Sequence, residues 1–224
     1  AMVFTGGEEG VFIRHFSVKV LEEMSDDLRA RGKTFSDQRP MDRDRELDIV
    51  FKRLASTPKI TIAAINGFAM GGGFEFCLSC DLRIAQDGDH TLGLPEAKLG
   101  ILPGGGGTQK LGRLVGQARA LEMVLRGRTV PPREALEYGM VHEVTDGPVL
   151  PRALELAQEY AVIAPLAFAH IKRLLRIELD KPLEEGLIME KTLFLDLLVS
   201  DDASKLMKRM NDGDLDIREV PQGD

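Results

Sequence analysis

Lys59-Ile60-Thr61-Ile62-Ala63-Ala64-Ile65-Asn66-Gly67-Phe68-Ala69-Met70-Gly71-Gly72-Gly73-Phe74-Glu75-Phe76-Cys77-Leu78-Ser79-Cys80-Asp81-Leu82-Arg83-Ile84-Ala85 is the stretch that decides the fold. Its first seven residues are a continuous apolar run rich in β-branched side chains, the pattern of a strand buried on both faces. Asn66-Gly67 breaks that run, and the three glycines from Gly71 make a tight turn. A short apolar helix follows through Cys80, and Asp81 to Ala85 reads as a second strand. A strand, a glycine turn, a helix and a strand in this order form a βαβ unit, which places the two strands parallel.

Working outward toward the N-terminus, residues 45–54 carry Leu47, Val50, Phe51 and Leu54 at helical spacing, and Pro58 ends that helix. Residues 21–45 are polar and charged, contain Gly32 and Pro40, and read as an exposed, mobile excursion. Residues 10–20 read as an extended or turning segment, and residues 1–5 as a strand closed by Gly6-Gly7. Because the first residues already read as a strand, the chain is expected to begin inside a fold.

Toward the C-terminus, a loop holds Gly93, Pro95, Gly100 and Pro103 and runs into Gly104-Gly105-Gly106-Gly107. Thr108 is the expected N-cap of the helix that follows. Residues 117–126 read as a helix stopped by Gly127, and the next opens at Pro131-Pro132 and closes at Gly139. Residues 141–144 read as a strand. Beyond them the pattern is helical over residues 150–161, 165–179, 183–198 and 203–210, with a polar, frayed tail from Asp212. The expectation is an α/β fold with a core over residues 1–145 and a helical part over 146–224.

Composition narrows the function. The 224 residues are 43% hydrophobic and 29% charged, enough for a sizeable core without disulfides. The net charge of −7, with dispersed basic residues, argues against nucleic acid as a partner. No stretch reaches the ~20 apolar residues of a membrane span, and no signal peptide is visible. Cys77 and Cys80 stand in a C-x-x-C spacing inside an apolar run, where packing is the expected role. Sparse cysteine fits a reducing, cytoplasmic location. His15, His90, His142 and His170 are isolated and lack metal-ligand spacing, so no metal site is expected.

Two carboxylates remain as candidates for chemistry. Three glycines at a strand-to-helix turn let a ligand approach backbone N–H groups at the positive end of a helix dipole. That suits an oxyanion or a phosphate, or else serves packing alone. A phosphate loop ending in Gly-Lys-Ser/Thr is lacking, and the dinucleotide fingerprint fails at Phe76. Glu75 stands within one turn of those glycines among Phe74, Phe76, Cys77 and Leu78, costly company for a carboxylate that is neither paired nor used. Glu96 stands in Leu94-Pro95-Glu96, in a loop after the second strand. Two glutamates on adjoining connections can serve as acid and base if their pKa values are separated; otherwise Glu75 supports a helix dipole and Glu96 is a solvated loop residue.

Ile65-Asn66-Gly67-Phe68-Ala69-Met70-Gly71-Gly72-Gly73-Phe74-Glu75 resembles the signature of the crotonase (enoyl-CoA hydratase/isomerase) family. Cys80-Asp81-Leu82-Arg83-Ile84-Ala85, Gly93-Leu94-Pro95-Glu96, Leu99-Gly100-Ile101-Leu102-Pro103-Gly104 and Gly106-Gly107-Thr108-Gln109-Lys110-Leu111 follow in the family's order. The resemblance covers about residues 3–161. It implies a spiral of ββα units whose helical C-terminal part packs in trimers or a dimer of trimers. It also implies binding of an acyl-CoA substrate and stabilisation of a thioester enolate, with coenzyme A arriving on the substrate and no separate cofactor.

The resemblance carries roles to particular residues. The oxyanion hole falls on the N–H groups of Phe16 and Gly72. Glu75 and Glu96 match the two glutamates of hydratases, with Glu75 as base and Glu96 delivering a proton to Cα. Substrate contacts fall on Arg14, Ser17, Val18, Phe68, Gly71, Pro95 and Gly104. The family's usual Ala-Gly-Ala-Asp is here Arg14-His15-Phe16-Ser17. That departure keeps alternatives in view: double-bond isomerisation or another acyl-CoA reaction, and a non-catalytic acyl-CoA-binding protein. The family's upstream strand, turn and helix are also expected to lie outside this sequence, and Met207-Lys208-Arg209-Met210 stands where the family's usual C-terminal ending is expected.

Overall fold

The computed structural model describes residues 1–33 and 44–216. The chain winds in repeated units, each placing one strand in a first sheet and the next in a second sheet, followed by a helix. Strands β1 (Met2–Thr5) and β2 (Gly10–Ile13) with helix α1 (Val18–Ala30) open the spiral. Helix α2 (Glu46–Ser56) leads into β3 (Thr61–Ile65), β4 (Gly67–Met70) and α3 (Gly72–Ser79). The next unit is β5 (Leu82–Gln86) and β6 (Leu92–Gly93), a 3-10 turn at Glu96–Leu99, then α4 (Gly107–Val115) and α5 (Gln117–Leu125). Strand β7 (Thr129–Val130), helix α6 (Pro132–Glu137) and strand β8 (Glu143–Thr145) complete it. Helices α7 (Val149–Ala161), α8 (Pro165–Arg176), α9 (Leu183–Leu198) and α10 (Asp201–Asn211) follow.

Among the described residues the first sheet has the order β1-β3-β5-β8, all parallel, and the second has β2-β4-β6-β7, antiparallel only at its last pair. Strand β3 is buried along its whole length, as its apolar run predicts. Ile62 and Ala64, with Ile84 of β5, face Val149 and Ala153 of α7. Ala63 and Ile65 face the larger core with Phe51, Phe74, Leu92, Leu111 and Met123. The period of two along one strand thus supplies two cores at once.

Several sequence expectations are corrected here. Residues 18–30 form α1, where an extended segment and then an excursion were expected. Val18, Leu21, Met24 and Leu28 do recur at helical spacing, but α1 buries none of its residues, so charged neighbours mask the stripe. The excursion expected further on lies largely at residues 34–43, outside the described residues, as does the tail from residue 217. Asn66-Gly67 does end β3, but it moves the chain into the second sheet rather than into a loop. The Asn66 amide accepts from Gly6 N (2.9 Å) and donates to Glu8 O (2.9 Å), tying this corner to the equivalent corner of the preceding unit. The cap of α4 is Gly106, not Thr108, and the last strand starts at Glu143 rather than at Val141. Strand β7, two residues long, carried no sequence signal. Cys77 and Cys80 are free and wholly buried, and burial pushes the Cys80 thiol up to about 12, which suits the packing role expected of them.

The helical tail is fastened to the core by one buried ion pair. Lys172 on α8 donates to Asp81 Oδ2 (2.7 Å), Leu54 O (3.1 Å) and Lys59 O (2.9 Å). The same carboxylate oxygen accepts from the N–H and hydroxyl of Thr61. Removing the ammonium leaves two carbonyls unmet and the Asp81 charge with only the Thr61 donors and Arg176 at 3.9 Å. Lys172→Ala is therefore expected to lower the free energy of unfolding by about 3–5 kcal/mol. An unchanged midpoint in urea denaturation would contradict this role.

Candidate active site

The site is assembled where α3 begins. Gly73 lets β2 run hard against that helix: a Cβ there would lie 1.9 Å from Ile13 O. This close approach brings Phe16 beside Gly72, since a Cβ built on Gly72 would be 3.9 Å from Phe16 N. Gly72 is in the first turn of α3, where N–H groups have no partner within the helix. The Phe16 N–H has no backbone acceptor among the described residues. Two backbone donors from different units of the spiral therefore lie side by side.

Gly71 precedes them with φ +55° and ψ −129°, a conformation open to glycine and strained for other residues. A Cβ at Gly71 would lie 3.0 Å from Glu96 Oε1, so the Glu96 carboxylate sits directly over this peptide. Glu96 opens the 3-10 turn after β6 and is half-buried. Its Oε2 is buried and has no hydrogen-bond partner among the described residues. Burial chiefly, with a smaller contribution from the Glu75 charge, pushes its carboxyl up to about 7.

Glu75 is 3% exposed, on the core-facing side of α3. The dipole-supporting surface role is thereby set aside. Its Oε1 accepts from Gly105 N (2.7 Å) and Gly107 N (2.8 Å). Lys110 donates to Gly105 O (3.1 Å) and Ser79 Oγ (2.7 Å), while Ser79 Oγ donates to Glu75 O (2.7 Å). The glycine run thus supplies a backbone cradle for a buried carboxylate. Its signal in the sequence was a glycine run with no evident turn requirement, 30 residues after a carboxylate placed among apolar residues; Gly105, Gly107 and Lys110 were not singled out from it.

The remaining candidates are placed as follows. Arg14 lays its guanidinium over the Phe68 ring at 5.1 Å, and His90 meets the same ring edge-on at 6.2 Å. Ser17 caps α1, its hydroxyl accepting from Val20 N (3.4 Å), and Val18 is exposed in that helix's first turn. Pro95 precedes the turn that carries Glu96, and its carbonyl accepts from Lys98 N. The Gly104 carbonyl accepts from the Arg45 guanidinium. Phe16, Gly71, Gly72, Glu75 and Glu96 are thus brought together. A cavity of about 210 Å³ lined by Ala55, Ser56, Pro58 and His170 lies between α2 and α8 and contains neither glutamate.

Comparison with known proteins adds a family context. Residues 24–212 match the family model described as enoyl-CoA hydratase/isomerase. The chain is 44% identical over 142 residues to the putative enoyl-CoA hydratase/isomerase YngF of Bacillus subtilis, covering 63% of this chain and 54% of that protein. It is 39% identical over 184 residues to 2,3-dehydroadipyl-CoA hydratase of Escherichia coli, covering 81% of this chain and 68% of that protein. The sequence therefore spans about half to two thirds of the length of these relatives. The crystal structure of enoyl-CoA hydratase from Bacillus anthracis superposes with a TM-score of 0.71 at 29% identity, covering 93% of this chain and 89% of that one.

The Glu96 environment sets a pH dependence of stability. The folded state holds this proton up to about 7, against 4.5 for the free side chain. A raised carboxyl stabilises the fold below the free value and loses that contribution as pH rises through the folded value. Unfolding free energy is thus expected to fall between pH 4.5 and about 7 by a component that Glu96→Gln removes. Denaturation curves of both proteins across this range would show the difference; parallel profiles would refute it.

Proposed function

The chain belongs to the enoyl-CoA hydratase/isomerase (crotonase) family, and on that premise we propose that it adds water across the double bond of a 2-enoyl-CoA thioester. The observation that carries this reading is the pair Glu75 and Glu96 beside the neighbouring N–H groups of Phe16 and Gly72. In this reading the two N–H groups donate to the thioester oxygen and stabilise the negative charge it gains in the transition state. One such donor is typically worth ~3 kcal/mol.

The two glutamates divide the proton transfers. Glu75, whose carboxylate is fixed through Oε1, accepts a proton from water as the water oxygen bonds to Cβ. The π electrons move onto Cα and the thioester oxygen. Glu96, whose carboxyl is pushed up to about 7, delivers its proton to Cα, forming the new C–H bond. Glu75 then releases the proton it gained, Glu96 regains one, and the cycle closes. Gly71 and Pro95 shape the floor under Glu96, and the Gly104 N–H is a further candidate donor to the water. In this reading Arg14, Ser17, Val18 and Phe68 meet the rest of the substrate. Coenzyme A is part of that substrate, and these steps call on no other group.

Assembly and location complete the proposal. The C-terminal helices leave Leu179, Leu183, Phe194, Leu195 and Val199 exposed, which supports a homotrimer packed through this part of the chain. No helix among the described residues is long and apolar enough to cross a membrane. Two buried free thiols fit a cytoplasmic setting.

Glu75→Gln and Glu96→Gln are each expected to lower kcat for crotonyl-CoA hydration by roughly 10²-fold or more, followed as loss of the enoyl-thioester absorbance. Wild-type kcat is expected to decline as pH rises above about 7, because the acid form of Glu96 is then depleted. Full activity in both variants, or products with a displaced double bond and no added water, would replace hydration by another reaction on this scaffold.

A further inference from the structure

The Glu75 carboxylate depends on two peptide N–H groups, and those peptides are themselves held from behind. The Gly104 carbonyl accepts from an Arg45 guanidinium N–H, and the next carbonyl, Gly105 O, accepts from Lys110. A trans peptide points its C=O and N–H in opposite directions. The Gly104 carbonyl and the Gly105 N–H belong to one peptide plane. Fixing the carbonyl on Arg45 therefore aims that N–H at Glu75 Oε1, 2.7 Å away.

Arg45 is itself held on a rigid support. It stands at the start of α2, where its Nε and Nη2 donate to the two Asp48 carboxylate oxygens (2.8 and 2.9 Å). Asp48 also accepts from the Arg45 backbone N–H (3.0 Å), and the guanidinium holds the Asp48 carboxyl down at about 2. One turn further along α2, Phe51 is buried under the same loop: a Cβ at Gly105 would lie 2.6 Å from its ring. Lys110 lies 4.7 Å from the centre of that ring. Helix α2 thus supports the glycine loop from below with Phe51 and holds it from outside with Arg45. The Arg45 side chain is 45% exposed, so the core does not depend on it for packing.

We infer that Arg45 is a positioning residue for the proposed hydration: by holding the Gly104 carbonyl, it orients the Gly105 N–H that fixes Glu75 through Oε1 and leaves Oε2 for the proton transfer. The inference rests on the hydratase reading above. It assigns a site role to a residue outside the family-like motifs, on a helix that touches no reacting atom. Asp48 belongs to the same device, because it fixes the guanidinium in the orientation that reaches Gly104.

The test uses the full chain with Arg45→Gln and Arg45→Lys. Arg45→Gln is expected to lower kcat for crotonyl-CoA by roughly 10- to 100-fold while KM stays within about threefold, since a misplaced base affects the transition state rather than binding. Arg45→Lys, which keeps a cation able to reach the carbonyl, is expected to recover part of the loss. With isotope-labelled glycine, the amide signals that Glu75→Gln displaces report the Gly105 and Gly107 donors. Arg45→Gln is expected to displace at least one of them. Unchanged kcat, a loss confined to thermal stability, or unmoved glycine amides would each overturn the role. If wild type hydrates no enoyl thioester, the hydratase reading falls, and the glycine amides alone decide whether Arg45 positions Glu75.

Discussion

A carboxylate buried to 3% exposure is the constraint around which this protein is organised. Moving an unpaired carboxylate out of water costs far more than a small domain's whole stability. Glu75 is tolerated because two backbone N–H groups meet its Oε1 at 2.7 and 2.8 Å. Hydrogen bonds to a charged group contribute about 1.5–3 kcal/mol each, so the pair offsets about 3–6 kcal/mol of the penalty. Backbone donors can come this close only if the loop is glycine and its carbonyls have partners of their own. Lys110 and Arg45 are those partners, and both are anchored: one on α3 through Ser79, the other on α2 through Asp48.

The same constraint separates the two carboxylates chemically. Glu75 is met by hydrogen bonds, whereas Glu96 keeps a buried oxygen unpartnered and has its carboxyl pushed up to about 7. Two acidic groups of one chemical type are thereby given different surroundings, one hydrogen-bonded and the other short of a partner. The spiral makes this possible. Glu75 rides on the helix of one unit, Glu96 on the turn after the second strand of the next, and Phe16 on the connection after the second strand of the first. Successive units stack, so residues 21 to 80 positions apart share one small volume.

Much of the fold was legible. The run at residues 60–65 announced a strand buried on both faces, and its neighbours at residues 82–86 pair with it in parallel as the βαβ pattern requires. Glycines at 127 and 139 stop their helices with positive φ as read. Elements whose shape depends on distant partners were not legible. Strand β4 pairs with β2, more than 50 residues away in the chain, and Asn66 looked like a terminator because its partners at Gly6 and Glu8 are equally remote. Helix α1 buries nothing, so its stripe carried little contrast.

Local sequence was sufficient for the helices other than α1, for strands β1, β3 and β5, for the apolar setting of Glu75, and for the glycines that permit backbone to approach a ligand. These follow from side-chain size, branching and polarity, which act over a few residues. Tertiary structure alone decided that Gly105 and Gly107 face Glu75, that Glu96 lies over Gly71, and that Phe16 stands beside Gly72. It alone brought Arg45 to Gly104 across 59 positions. The physical reason is that a backbone N–H or C=O has no sequence identity. Which partner it meets is set by how the units of the spiral stack, and that stacking is fixed by the two cores rather than by any motif near the site.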